Sequence, residues 1–174
     1  MNTEYSYDNI VLTPKYSEIQ SRTKLDASAE FLGKKFKSVA IPANMKCTID
    51  FKKAEQLSQF GYFYVLHRFY DYDDIYDWVK DNQDLKTISI SVGVNEKDYE
   101  LVNDLFVNKL RVDYITIDVA HGHHILVKKM IEHIKNHNFK NSAKVIAGNI
   151  GTIEAARDLG SWGADAVKVG LSMG

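Results

Sequence analysis

Apolar residues along this chain fall into short, nearly continuous runs, separated by segments in which apolar positions recur every three or four residues. The runs at 38–43, 62–66, 87–92, 114–119, 144–147 and 166–169 predict strands, because their β-branched and aromatic side chains suit a covered sheet. Between them, Leu126, Met130 and Ile134 share one helical face, and Leu101, Val102 and Leu105 share another. Asp50, Asp71, Asn95 and Thr152 stand where helix N-caps belong, and Gly61 and Gly160 where helices should stop.

Strands that alternate with helices pair in parallel. Two architectures satisfy the pattern, an open doubly wound sheet and a closed barrel. The first run ends in Ala43-Asn-Met-Lys46, with no glycine-rich dinucleotide turn after it. At 174 residues the chain is shorter than a complete barrel, which takes ~250. The expected fold is α/β: an incomplete (β/α)8 TIM barrel with about six of the eight strands, ending in the loop after the sixth. It forms a single domain, with an N-terminal arm at 1–35 and βα units at 36–174.

Polar residues and glycines gather where the strands should finish. Asp113-Tyr-Ile-Thr-Ile-Asp-Val-Ala-His-Gly122 ends in Asp118, His121 and Gly122, and Val145-Ile-Ala-Gly-Asn-Ile-Gly151 follows the same grammar. In a barrel of parallel strands those ends build the active site, so the pattern points to an enzyme. Lys and Arg number 22 against 23 Asp and Glu. That balance gives no electrostatic footprint for nucleic acid or an anionic membrane. Cys47 is the single cysteine, so no internal disulfide can form, as suits a reducing compartment. With no leader-like N-terminus and no apolar run long enough to span a bilayer, the chain reads as cytoplasmic.

Tyr7-Asp-Asn-Ile-Val-Leu-Thr-Pro14, Ile41-Pro-Ala-Asn-Met45, His67-Arg-Phe69, Ile88-Ser-Ile-Ser-Val-Gly-Val94, Ile115-Thr-Ile-Asp-Val-Ala-His-Gly-His123, Val145-Ile-Ala-Gly-Asn-Ile-Gly-Thr152 and Gly163-Ala-Asp-Ala-Val-Lys-Val-Gly170 occur in that order. Together they resemble the IMP dehydrogenase/GMP reductase family over essentially the whole chain. Only Tyr70 to Lys86 separates the second block from the third strand. The regulatory insertion usual in the dehydrogenases has no room there, so the resemblance is closer to short bacterial GMP reductases. It implies NADPH-dependent reductive deamination of GMP to IMP with release of ammonia. The partners it implies are GMP and IMP, with a homo-oligomer (a tetramer in the family) or a complementing C-terminal part. Two alternatives stand beside this one: a dehydrogenase-like enzyme without the insertion, and a non-catalytic truncated homologue serving as an interaction subunit.

The resemblance also places residues. The family's nucleophilic cysteine follows the sixth strand and would lie beyond Gly174, which makes this chain inactive by itself. Asp118 falls in the cofactor and proton-transfer region with Ala120 and His121. An N-cap for the following helix is its ordinary alternative. Arg68 stands where the other type of GMP reductase has Lys; it keeps the charge but releases protons poorly, which favours an orienting or stabilising role. Its neighbour His67 reads equally as a core histidine. Asn44 and Met45 would border the purine, Met through a polarizable side chain that is otherwise common in cores. Gly148 and Asn149 carry the corresponding turn after the fifth strand. Ser172 and Gly174 would offer backbone carbonyls to a potassium ion, although Ser172 departs from the family's glycine there. Cys47 reads as a small inert cysteine rather than a substitute nucleophile. His121, His123 and His124 lack a fourth zinc ligand, and Asp71 to Asp74 reads as the acidic start of a helix.

Overall fold

The computed structural model describes residues 10–38, 40–137 and 143–171. Its elements in chain order are β1 (Ala29–Phe31), β2 (Lys34–Phe36), α1 (Phe51–Phe60), α2 (Tyr72–Asp81), β3 (Ser89–Val92), α3 (Glu96–Val107), β4 (Tyr114–Asp118), α4 (Ile125–His137), β5 (Lys144–Ile150), α5 (Ile153–Ser161) and β6 (Ala166–Val169). Strands β3 to β6 form one parallel sheet in sequence order. A doubly wound sheet reverses its strand order at a switch point, whereas a barrel does not. The sheet is therefore an arc of a barrel.

Four of the six predicted strands are hydrogen-bonded strands. The second, at 62–66, extends the same order, and its backbone pairs with the sheet among the described residues through a parallel bridge from Leu66 to Ile90. The first, at 38–43, pairs with nothing among the described residues. Pro42 has no N–H to give a ladder, and Ile41 stays half exposed. The N-terminal arm holds an unforeseen hairpin, β1 paired antiparallel with β2.

Side-chain alternation explains where that hairpin goes. Ile115 and Ile117 of β4, and Val145 and Ala147 of β5, face the helices in the main core with Val102, Leu105, Met130, Ile131 and Ile134. The opposite, inward face changes character along the strands. Tyr114 at the N-terminal end, and Ile146 one inward layer above it, join Phe36, Phe63 and Val65 in a second apolar cluster, with Phe31 packed against it. The Phe63 ring meets Phe31, Phe36 and Tyr114 at 5.0, 5.2 and 5.0 Å, within the range of favourable aromatic pairs. The hairpin thus closes the N-terminal end of the arc with aromatic side chains. Above the plug come Ser91 and Thr116, and at the C-terminal end Asp118 and Lys168.

Caps and clasps set the frame. Asp50 and Thr152 accept from Lys53 N and Ala155 N at 2.7 and 3.1 Å, as N-caps do. Asp71 makes no such bond. Gly61 ends α1 as expected, but Gly160 lies inside α5, and the turn after it falls to Gly163 at φ +107°. Only Gly takes that dihedral without strain, so the stop sits three residues later than the pattern suggested. Asp113 accepts from Ile88 N at 2.8 Å, and Asp165 accepts from Val145 N at 2.7 Å. The same clasp thus pins β4 to β3 and β6 to β5 at their N-terminal ends.

Burial pushes the Asp165 carboxyl up, but the Lys135 ammonium, the Val145 N–H and Lys144 outweigh it and hold it below the ordinary 3.8. A carboxylate lowered in the native state contributes fully above its ordinary value, and the contribution is lost as pH falls through the lowered value. Asp165→Asn should therefore cost about 1–3 kcal/mol at neutral pH, with the gap to wild type closing as the pH falls towards 2. Denaturant melts across that range check this; a gap independent of pH would contradict it.

Candidate functional site

Asp118 of β4, Gly148 of β5 and Lys168 of β6 occupy one row of the sheet, Asp118 opposite Gly148 and Gly148 opposite Lys168. All three belong to the inward face at the C-terminal end. Across the glycine, Lys168 Nζ donates to Asp118 Oδ1 at 2.9 Å. It also donates to Asn44 Oδ1 at 2.8 Å, which brings in the segment after the irregular first run. The lysine side chain is 36% exposed and the aspartate 18%, so the ion pair stands at the boundary between the interior and solvent.

Gly148 is there because of Lys168. A Cβ at this position would lie 2.6 Å from both Lys168 Cβ and Lys168 O, and neither can move without moving β6. The next turn is braced in the same way. Asn149 Nδ2 donates to Gly170 O at 2.9 Å, and Asn149 O accepts from Gly122 N at 2.7 Å. The loops after β4, β5 and β6 are thereby tied to one another.

Asn44 is 9% exposed, and its Nδ2 is buried without a hydrogen-bond partner among the described residues. Met45, next to it, is 55% exposed. It is not a core methionine. Ala120 and His121 are exposed beside Asp118. Arg68 makes no hydrogen bond or ion pair with Asp118 among the described residues. Its guanidinium lies 4.8 Å from the Phe69 ring centre, and its Nε is buried without a partner among the described residues. His67 belongs to the packing. Its Nδ1 accepts from Phe69 N at 3.1 Å and its ring stacks on Tyr70 at 4.3 Å. Burial, and then Lys46, push its pKa down, which favours the neutral ring.

Cys47 is exposed rather than buried. His123 turns away from His121 to meet Asp158 at 2.8 Å and stack against Trp162. Among the described residues no three His, Cys, Asp or Glu side chains converge on a metal position. Ser172 and Gly174, the positions considered for potassium, lie outside the described residues. Lys168 is the site residue that the sequence reading passed over. Its signal was a charged residue inside the otherwise apolar run Ala166-Val-Lys-Val169, in line with the inward Asp118 two strands away.

Residues 4–174 match the model of the IMP dehydrogenase / GMP reductase domain. The chain belongs to this family. It is 46% identical over 171 residues to a protein named GMP reductase in Acidovorax ebreus, covering 98% of this chain and 51% of the relative. The GMP reductase of Bacillus subtilis is 45% identical over 175 residues, covering 100% and 53%. Among solved structures, inosine 5′-monophosphate dehydrogenase from Legionella pneumophila superposes with a TM-score of 0.78 at 28% identity, over 94% of this chain and 50% of that one. The chain spans about half the length of these relatives. No helix among the described residues is long and apolar enough to cross a membrane.

The glycine between the ion-pair partners gives a direct test. Gly148→Ala should destabilise the chain by about 1–3 kcal/mol through overpacking against β6. Gly160→Ala, in α5 with nothing within 4 Å of the new Cβ, should stabilise it by about 0.5–1 kcal/mol. Equal effects of the two in chemical denaturation would remove the steric argument for Gly148.

Proposed function

We propose that this chain carries the nucleotide-binding rim of a GMP reductase, which reduces GMP to IMP with NADPH and releases the 2-amino group as ammonia. The observation that carries the proposal is the convergence of Asn44, Asp118 and Lys168 on one rim, in a chain whose relatives are named GMP reductases. A polar ligand needs groups left over from the fold's own bonding. Asn44 Nδ2 supplies a buried donor, and Asp118 spends only Oδ1 on Lys168 among the described residues.

Each residue then has a task that its environment supports. The exposed Met45 offers a soft, adaptable surface for the flat face of the purine. Asn44 reads a polar edge through its amide N–H. Asp118, held against the Lys168 ammonium, is the group placed to take or return a proton at the departing amine. Arg68 contributes fixed positive charge from the end of the second strand run, beyond β3. These rim residues also fit the expected cofactor, with Asp118, Ala120 and His121 lying together as candidates to hold NADPH. When bound, NADPH supplies the hydride that replaces the amino group at C2. The covalent step is assigned to a cysteine other than Cys47, supplied by a complementing C-terminal part. The outer edge of β6 is unpaired among the described residues, with Val169 and Leu171 exposed. That edge fits a complementing C-terminal part, or a second copy of the chain.

Titration calorimetry with GMP is the test. The chain should bind it, and Asn44→Ala and Met45→Ala should each weaken binding about tenfold, or ~1.4 kcal/mol. Absence of binding would overturn the proposal. In the same preparation, NADPH absorbance should not decay with GMP present. Turnover that disappears in Cys47→Ser would show that the wrong cysteine was set aside.

A further inference from the structure

Lys168 has two oxygens around its ammonium, one from each of the groups to which the proposed function assigns ligand contacts. An Asn side chain can present either its oxygen or its nitrogen in almost the same space, and its bonding decides which. An ammonium only donates. It therefore dictates that Asn44 turns Oδ1 towards β6 and leaves Nδ2 buried, without a partner among the described residues. The same ammonium takes Asp118 Oδ1 and leaves Oδ2 as the oxygen available to a ligand. None of this would reach across β5 if position 148 had a side chain.

We propose that Lys168 is the positioning residue of this rim: from across Gly148 it sets the amide orientation of Asn44 and the rotamer of Asp118, so that one donor and one acceptor are presented together. The inference rests on the proposed function for what those groups bind, but not for the contacts themselves. Lys168→Met keeps the length and loses the donor, so the amide of Asn44 loses what fixes its direction. Lys168→Arg keeps charge and donors and restores the orientation in part.

The test requires no nucleotide, so its failure and a failure to bind GMP are separate results. Amine labelling with a succinimidyl ester, read by mass spectrometry, compares Lys168 with the exposed Lys52 and Lys97. An ammonium held by a carboxylate and an amide oxygen should react about tenfold more slowly than its exposure alone would allow. Asp118→Asn and Asn44→Leu should each raise its rate towards that of the reference lysines. In parallel, the side-chain amide signals of Asn44 in a nitrogen–proton correlation spectrum should shift in Lys168→Met and return towards wild type in Lys168→Arg, with backbone signals unchanged. A Lys168 that labels as fast as Lys97 in wild type, or Asn44 signals indifferent to Lys168→Met, would overturn the proposal. If Lys168→Met fails to fold, the Asp118→Asn and Asn44→Leu labelling rates decide it alone.

Discussion

Parallel pairing in a single register places residues of different strands side by side at one height, and the chemistry of this chain depends on that constraint. A slip of one position would send Asp118 or Lys168 to the helix-covered face, among Ile117, Ala147 and their neighbours. The clasps made by Asp113 and Asp165 on the neighbouring strands' amides pin the register at the N-terminal ends. The Lys168–Asp118 pair and the Asn149 brace close it at the C-terminal ends. Between them the inward face passes from an aromatic plug, through buried hydroxyls, to a charged rim.

Much of this was legible in the chain's patterning. Apolar runs located β3, β4, β5 and β6, because covered parallel strands are nearly continuous in apolar residues. The polar ends of those runs located the rim. Other features depended on contacts that no local pattern reports. Pro42 and the half-exposed Ile41 carry apolar character without forming a strand. The hairpin of β1 and β2 has little pattern of its own and is held by Phe31 and Phe36 against Phe63 and Tyr114. Gly148 looked like a turn glycine for a ligand, yet its closest neighbour is the backbone of β6. Lys168 was hidden by the same apolar run that revealed its strand, since its partners are 50 and 124 positions away.

Family membership and geometry each add what the other lacks. The relatives bring the names of an activity, while the structure shows which side chains of this chain converge. Asp118 meets Lys168, whereas Arg68 stands over Phe69 and makes no bond to the aspartate among the described residues. The positive charge beside the aspartate therefore comes from the sixth strand rather than the second. Asn44 links the two sides of the rim, and the exposed Met45 beside it leaves an apolar surface available next to the polar groups.

The ion pair across Gly148 couples β4 to β6 and organises the rim. A double-mutant cycle on unfolding free energy, with Asp118→Ala, Lys168→Met and both together, measures that coupling directly. A favourable interaction of about 0.5–2 kcal/mol is expected between the two positions, reduced by added salt because the pair is partly exposed. Strictly additive effects, unchanged by salt, would contradict it.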